Sequence, residues 1–354
     1  MQVEEQIKKA KAEKQSVKCV VWDLDNTVWD GVLLENSDVS LRPGVLETLK
    51  ALDQRGILLS IASKNDHEMA MAKLTEFGIQ DYFIYPEINW NPKSMSLQAI
   101  AKSINIGLDT FAFVDDQPFE REEVAYELPE VTCIDAAEID QILDMPGMMP
   151  RFVTNESRLR RQMYQGDMTR NQAEEEFVGA SEDFLATLKL VFTIKAATED
   201  DLQRAEELTV RTHQLNTTGY TYSYSELDTF RHSDDHLLLV ARLEDKYGTY
   251  GTIGLALVEK GKTFWTVKLL LMSCRVMSRG VGTIMMSHIM TLAQEAGVKL
   301  RAEFVANGRN RMMYVTYKFG GFNEVEERGD LVVLENDLSH IQTIPAYIQV
   351  HISN

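Results

Sequence analysis

Cysteine is scarce in this sequence, and the cysteines that are present lack the spacing of a metal or redox motif. The chain has 3 cysteines among 354 residues, without a C-x-x-C pair. Such a set cannot complete a disulfide framework in a chain of this length, which is typical of a protein from a reducing compartment. Cys19 and Cys133 lie in apolar, strand-like runs and are predicted to be core residues.

Long apolar runs and an excess of positive charge are missing as well. No run reaches the roughly 18 apolar residues of a membrane-spanning helix, and residues 2–15 lack the apolar core of a signal peptide. The sequence therefore predicts a cytoplasmic protein without a membrane partner. The formal net charge of -18 argues against a nucleic-acid partner, because neutralising phosphates requires clustered positive charge.

The chain does contain enough apolar material for two cores, since 44% of its 354 residues are hydrophobic. After residue 17, short apolar strands alternate with helices of about ten residues, which predicts a parallel sheet covered by helices. A second strand and helix pattern starts near residue 181, so the predicted fold class is α/β in both halves. The predicted segments are an N-terminal helix (1–16), a first domain (17–146), a connector (147–180), a second domain (181–337) and a C-terminal segment (338–354).

Acidic side chains stand at the ends of two predicted strands in the first domain. Asp23 and Asp25 follow the first apolar strand, and Asp115 and Asp116 follow a later one. Because side chains two apart in a strand point the same way, Asp23 and Asp25 can share one metal ion or one proton-transfer task. Asp23 and Asp25 alone would also fit a strand end closed by an Asx turn.

Ser63 and Lys93 lie at further predicted strand ends and turns of this domain. The carboxyl ends of parallel strands meet at one edge of a sheet, so we expect these side chains close to the aspartates. The set suits phosphoryl transfer to a carboxylate, with Asp23 as nucleophile and Asp25 as general acid and base. The predicted phosphate-binding residues are Thr27, Ser63 and Lys93. The predicted Mg²⁺ ligands are Asp23, Asp25, Asp115 and Asp116.

These residues resemble the motifs of the haloacid dehalogenase superfamily of phosphatases. Asp23, Asp25 and Thr27 match the first motif, D-x-D-x-T. Ser63 matches the second motif, Lys93 the third, and the pair Asp115 and Asp116 the fourth. The intervals between the motifs are filled by predicted core elements, which leaves no room for an inserted cap domain. The resemblance to capless members implies a large substrate, or a second domain that covers the site.

A second candidate site lies between a predicted strand at 263–271 and the helix that follows it. A glycine-containing turn at this place presents backbone N–H groups to a phosphate. The segment resembles the pyrophosphate-binding motif of GCN5-related acyltransferases. Met277 stands where that motif usually has Gln or Arg, which favours a phosphopantetheine arm over free coenzyme A. The predicted phosphopantetheine-binding residues are Arg275, Arg279, Gly280 and Gly282.

Cys274 precedes this turn directly. A thiol near a helix N-terminus and beside two arginines is expected to have a lowered pKa, so Cys274 is a candidate nucleophile. A buried structural cysteine is the alternative. His213 is a candidate to orient or deprotonate the thiol, and a structural histidine is again the alternative.

The connector carries a local basic excess in an otherwise acidic protein. A solvated helix face is the simpler interpretation of this excess. The other interpretation is a docking site that attracts an acidic carrier domain electrostatically. The arginines concerned are Arg151, Arg158, Arg160, Arg161 and Arg170.

Four stretches of the chain resemble signatures of the FkbH-like proteins of polyketide pathways: Trp22 to Trp29, Ser63 to Asp66, Asp115 to Glu122 and Met272 to Val276. The resemblance covers about residues 18–322. The resemblance implies a glyceryltransferase/phosphatase that takes 1,3-bisphosphoglycerate, removes phosphate and loads a glyceryl or related three-carbon unit onto an acyl carrier protein. It also implies a transient thioester on Cys274. One alternative is a capless phosphatase fused to an acetyl-coenzyme A-dependent N-acetyltransferase. Another is a degenerate binding module without activity.

Overall fold

The computed structural model describes residues 16–36, 38–212, 214–277 and 279–353. The chain divides into two compact units, Met1–Gln165 and Gly166–Asn354, and each unit has its own sheet and hydrophobic core. The predicted fold class is confirmed, because both units combine a β-sheet with helices. The predicted N-terminal helix falls, except for Ser16, outside the described residues.

The first unit is a parallel sheet with helices packed on it. Its five central strands lie in the order Glu87–Ile88 (β5), Leu58–Ser63 (β4), Cys19–Trp22 (β1), Phe111–Asp115 (β6) and Thr132–Asp135 (β7), and all neighbours in this order are parallel. A separate antiparallel hairpin joins Trp29–Asp30 (β2) to Ser40–Leu41 (β3). The strands are β1 (Cys19–Trp22), β2 (Trp29–Asp30), β3 (Ser40–Leu41), β4 (Leu58–Ser63), β5 (Glu87–Ile88), β6 (Phe111–Asp115) and β7 (Thr132–Asp135). The helices are α1 (Val45–Gln54), α2 (His67–Glu76), α3 (Lys93–Ile104), α4 (Pro118–Glu127) and α5 (Asn155–Arg158).

The central strands of this sheet are buried along their whole length, which explains their continuous apolar sequences. They end at one edge of the sheet, where the Asp23 amide donates to the Val114 carbonyl at 2.9 Å. Between β1 and β4 the described residues contain only the hairpin and α1. Between β4 and α3 they contain only α2, a short 3₁₀ turn and β5. Among the residues that the structure describes, no cap domain is inserted at either place.

One predicted strand of the first unit is wrong. The pattern around Tyr82 to Tyr85 predicts a strand, but the chain forms a 3₁₀ turn at Gln80–Tyr82 and enters the sheet only at β5. A single bridge between Leu59 and Phe83 is present in that region. Tyr85 adopts a left-handed backbone with a φ of 46°, which interrupts an extended strand before β5 begins. The apolar run that predicted the strand does not reveal this backbone conformation.

The second unit is built on an eight-stranded mixed sheet in the order β13-β14-β12-β11-β10-β9-β8-β15. The predicted C-terminal segment supplies an edge strand of this sheet, because β15 pairs in parallel with β8. The strands are β8 (Leu190–Ala196), β9 (His236–Asp245), β10 (Gly248–Lys260), β11 (Phe264–Met272), β12 (Lys299–Val305), β13 (Asn323–Arg328), β14 (Leu331–Asn336) and β15 (Ile348–Ser353). The further helices are α6 (Arg160–Glu176), α7 (Ser181–Leu188), α8 (Glu199–Arg211), α9 (Tyr224–His232), α10 (Val281–Glu295) and α11 (Arg311–Phe319). Within the described ranges, no helix has the length and apolar character needed to cross a membrane.

Several arginines of the predicted connector form hydrogen bonds and ion pairs inside one or the other unit. In the first unit, the buried Arg160 donates to the Gly56 carbonyl at 2.6 Å, and Arg161 forms an ion pair with Asp53 at 2.9 Å. These side chains are therefore neither a solvated face nor an open docking surface. The predicted docking role is wrong for Arg160 and Arg161, because tertiary contacts that the local sequence cannot reveal take up their charges.

Arg170 is the most deeply buried of these arginines, with a side chain that is 1% exposed. Its guanidinium binds both carboxylate oxygens of Asp245, at 2.7 and 2.9 Å, and stacks 3.8 Å from the centre of the Tyr250 ring. The Tyr250 hydroxyl donates to the same carboxylate at 2.9 Å. Arg170 therefore neutralises a fully buried acid and is not available for a partner.

Replacing Arg170 with alanine should destabilise the protein by about 3–5 kcal/mol, because it leaves the Asp245 carboxylate buried and unpaired. Urea unfolding followed by circular dichroism measures this loss. Arg158→Ala is the matched control, since Arg158 is exposed and its removal should change the free energy of unfolding by less than about 0.5 kcal/mol. An unchanged urea midpoint for Arg170→Ala would contradict the role assigned to this arginine.

Candidate active site

A buried ammonium group lies at the centre of the sheet edge in the first unit. Lys93 is 2% exposed, and its Nζ lies 2.5 Å from Asp23 Oδ1, 3.0 Å from Asp115 Oδ2 and 2.8 Å from the Ala62 carbonyl. Burial opposes the charged form of Lys93, but the carboxylates of Asp23 and Asp115 outweigh burial and raise its pKa. Lys93 is therefore held as a cation beside the carboxylate predicted to be the nucleophile.

Three carboxylates at this edge form a group that could hold a metal ion. Ligand oxygens of Asp23, Asp115 and Asp116 all lie within 4.8 Å of one another. Asp116 Oδ1 is buried and has no hydrogen-bond partner among the described residues. Burial raises the pKa of Asp115 to about 6, and burial followed by the nearby Asp23 charge raises that of Asp116. Clustered carboxylate oxygens are the donors that Mg²⁺ prefers, so the residues present fit this ion.

The Asp25 side chain has different surroundings and does not belong to this group. Asp25 Oδ1 accepts from Trp29 Nε1 at 2.7 Å and from the Leu33 amide at 3.1 Å, and Oδ2 accepts from Asn65 Nδ2 at 3.1 Å. Burial raises the pKa of this carboxyl group. The sequence predicted Asp25 as a metal ligand. The structure does not bring its carboxylate into the metal group, because these donors hold it elsewhere. The proton-transfer role predicted for Asp25 stays a prediction.

Thr27 and Ser63 are both buried at the same edge. The Thr27 hydroxyl accepts from the Asp116 amide at 3.1 Å and so ties the loop after β1 to the end of β6. Ser63 is the last residue of β4, next to the carbonyl of Ala62 that accepts from Lys93. Their predicted phosphate-binding roles stay predictions, with Thr27 also holding two segments of the site together.

Sequence reasoning overlooked Trp29 and Asn65. Neither belongs to a recognised charge or nucleophile pattern, and both reach Asp25 through the folding of the loops after β1 and β4. Both residues lie in stretches that resemble FkbH-like signatures, Trp22 to Trp29 and Ser63 to Asp66, but the resemblance gave neither of them a role.

In the second unit, Cys274 begins a short 3₁₀ turn that is separated from β11 by Ser273, and its side chain is half-buried. The guanidinium of Arg275 donates to the Tyr250 carbonyl at 2.7 Å, and that of Arg279 lies 3.3 Å from Glu174 Oε2. Both predicted phosphopantetheine-binding arginines thus make contacts inside their own unit. His213, the predicted partner of the thiol, lies outside the described residues.

Gly280 precedes α10 and adopts a positive φ of 72°. A Cβ atom at this position would lie 2.7 Å from the Tyr347 hydroxyl, so only glycine fits here without a shift of that side chain. Gly282 lies in the first turn of α10. The Tyr347 hydroxyl thus lies close to the start of α10. The predicted phosphopantetheine-binding roles of Gly280 and Gly282 stay predictions.

The edge of β11 that leads to Cys274 is covered by the protein's own chain. β11 and β12 pair only from Phe264 to Val267, and Thr217 lies between them further along. The Thr217 amide donates to the Leu270 carbonyl at 3.1 Å, and the Val305 amide donates to the Thr217 carbonyl at 3.0 Å. An arm with amide groups could therefore pair with this edge only by displacing that segment.

Comparison with known proteins bears on the first unit. Residues 31–120 match the family model of haloacid dehalogenase-like hydrolases. The chain contains a haloacid dehalogenase-like hydrolase domain. Among solved structures, the N-terminal part of a protein from Bacteroides fragilis, containing a phosphatase domain and complexed with Mg, is similar at 27% identity and a TM-score of 0.36. That match covers 41% of this chain and 43% of the other, so this chain spans less than half of that structure's length.

Solved acetyltransferases also resemble part of the chain. The ribosomal-protein-S18-alanine N-acetyltransferase from Escherichia coli is 17% identical, with a TM-score of 0.33, and the match covers 41% of this chain and 92% of that one. The PaiA N-acetyltransferase from Thermoplasma acidophilum, in complex with coenzyme A, is 15% identical, with a TM-score of 0.33 and coverage of 41% and 97%. No curated protein matches the chain.

Asp115→Asn and Asp116→Asn should each weaken divalent-cation binding at least about tenfold, because each removes a charged ligand oxygen from the metal group. Electron paramagnetic resonance of Mn²⁺ titrated into the protein measures the affinity without reference to catalysis. Asp38→Asn is the control, since Asp38 is exposed and lies outside the group. Equal Mn²⁺ affinity in all three variants would show that the carboxylates do not form a metal site.

Proposed function

We propose that this chain is a bifunctional glyceryltransferase/phosphatase, which removes phosphate from 1,3-bisphosphoglycerate and loads the three-carbon acyl unit onto the phosphopantetheine of an acyl carrier protein. The observation that carries the phosphatase half is the buried Lys93 ammonium between the carboxylates of Asp23 and Asp115. The acyl-transfer half rests on the setting of Cys274 at a strand end and on the sequence resemblance to FkbH-like proteins.

The phosphatase reaction begins with the Asp23 carboxylate. Its oxygen attacks phosphorus, the bond between phosphorus and the ester oxygen breaks, and Asp25 gives the departing alkoxide a proton. Water then attacks the aspartyl phosphate, with the deprotonated Asp25 as its base, and releases inorganic phosphate while restoring Asp23. Lys93 supplies the positive charge that stabilises the phosphoryl oxygens during both attacks.

Mg²⁺ held by Asp23, Asp115 and Asp116 would offset the negative charge of the phosphoryl oxygens when bound. The fit of this ion rests on the three carboxylates and on the buried, unpartnered Asp116 Oδ1 within the described part of the chain. The three acids of the metal group repel one another in a buried place. The same charge requirement explains why two of them, Asp23 and Asp115, pair with Lys93.

The acyl-transfer reaction uses the second leaving group of the same substrate. An acyl phosphate is already activated, so the Cys274 thiolate can attack its carbonyl carbon, forming a C–S bond and releasing inorganic phosphate. The phosphopantetheine thiol then attacks the thioester, takes the acyl unit and returns the thiol of Cys274. The remaining phosphate ester is the substrate of the Asp23 site. Two phosphates leave in all, one at each site.

Asp23→Asn should abolish Mg²⁺-dependent phosphate release from a phosphate ester, because the amide is a poor nucleophile, while acyl loading onto the carrier continues. Mass spectrometry of a phosphopantetheinylated carrier incubated with 1,3-bisphosphoglycerate and Mg²⁺ measures both outcomes. With the unaltered protein we expect a mass gain of a glyceryl unit, and with Asp23→Asn a gain that retains one phosphate. Loss of loading in this variant would contradict the division of labour between the two sites.

Cys274→Ala should stop loading of the carrier and leave phosphate release from a phosphate ester unchanged. The same mass measurement, with inorganic phosphate determined in parallel, follows both reactions. Loading retained by Cys274→Ala would exclude the thioester on this residue. If coenzyme A also binds and acetyl transfer to an amine persists in this variant, the N-acetyltransferase alternative would replace the proposed function.

A further inference from the structure

The two carboxylate oxygens of Asp25 are held differently. Oδ1 accepts two N–H donors, Trp29 Nε1 at 2.7 Å and the Leu33 amide at 3.1 Å. Oδ2 accepts one, Asn65 Nδ2 at 3.1 Å. An oxygen that already accepts two hydrogen bonds has no lone pair left in the carboxylate plane, so a proton on this group must reside on Oδ2.

The donors come from separate segments, which prevents the carboxylate from rotating. Trp29 is fully buried and is the first residue of β2, where it pairs with Leu41 of β3. Asn65 is 1% exposed and follows β4, and its own Oδ1 accepts from the Asp66 amide at 2.9 Å. That bond fixes the orientation of the side-chain amide, so Nδ2 must point to Asp25. The carboxylate is thus clamped from both sides.

We infer that Trp29 and Asn65 are positioning residues for proton transfer by Asp25, an inference that rests on the proposed phosphatase reaction. They orient the carboxyl group so that Oδ2 presents its proton to the leaving oxygen. Neither residue touches the phosphoryl group in this account. Their contribution is to keep Asp25 in one orientation during the reaction, and proton transfer requires such alignment.

Trp22 shows that this fold does not require every buried indole to have a partner. Trp22 is as fully buried as Trp29, yet its Nε1 has no hydrogen-bond partner among the described residues. The bond from Trp29 to Asp25 is therefore a particular feature of this position, not a general consequence of burying tryptophan. The pair also provides a matched control within one core.

The inference predicts a dependence on the leaving group. An alkyl phosphate such as glycerol 3-phosphate releases a strongly basic alkoxide, which needs the proton of Asp25. p-Nitrophenyl phosphate releases a weakly basic phenolate, which does not. A misplaced Asp25 should therefore slow the alkyl substrate selectively, whereas damage to the fold or to Asp23 should slow both substrates alike.

The test is the kcat/KM of Trp29→Phe and Asn65→Ala with both substrates, since kcat/KM reports the steps up to departure of the leaving group. We expect each variant to lose at least about tenfold with glycerol 3-phosphate and less than about twofold with p-nitrophenyl phosphate. Trp22→Phe should leave the ratio of the two values unchanged. Asn65→Ala keeps the test decisive if Trp29→Phe does not fold.

Asp25→Ala separates this inference from the proposed function. If Asp25→Ala shows the selective loss and the two positioning variants do not, the positioning role is wrong and the acid role of Asp25 stands. If Asp25→Ala slows both substrates equally, Asp25 is not the acid and the proposed reaction fails with the inference. Equal losses on both substrates in Trp29→Phe and Asn65→Ala would indicate a merely structural role.

Discussion

The first unit depends on the burial of one ammonium group between two carboxylates. A buried charge without a partner costs several kcal/mol, so Lys93, Asp23 and Asp115 can be buried only together. Each comes from a different element, the start of α3, the residue after β1 and the end of β6. The parallel sheet meets this requirement because its strands end at one edge. The site and the fold therefore both require that these strand ends meet at one edge of the sheet.

Asp23 and Asp25 show how two acids of one loop acquire different tasks. Asp23 lies against Lys93 and within the group that fits Mg²⁺. Asp25 is turned to Trp29 and Asn65, and burial raises its pKa. The Asp23 carboxylate lies against Lys93 at the metal group, which suits nucleophilic attack on a phosphoryl group, whereas a carboxyl group with a raised pKa suits proton transfer. Their surroundings separate roles that the spacing alone would have allowed either residue to fill.

The second unit solves a similar burial problem with arginine. Arg170 neutralises Asp245 at the end of β9, and Arg275 and Arg279 reach Tyr250 and Glu174 within the same unit. A planar guanidinium suits these places because it binds both oxygens of a carboxylate and stacks on an aromatic ring. The basic residues that surround Cys274 in sequence are thus partly committed to structure. The proposed chemistry of Cys274 therefore rests on the thiol and its turn more than on a ring of free positive charge.

The sequence by itself determined the alternation of buried strands and helices in the first unit, the presence of two units and the acids at the sheet edge. These features depend on local apolar periodicity and on strand ends, which neighbouring residues encode directly. Only the tertiary structure decided that Arg170 neutralises Asp245, that Thr217 lies between β11 and β12, and that Trp29 and Asn65 hold Asp25. The contacts of Arg170, Thr217 and Asn65 join segments that are distant in the chain. Trp29 is only four residues from Asp25 and reaches it through the conformation of one loop. Local pattern contains no information about which buried donor meets which acceptor, so the partner of a charge is settled by packing.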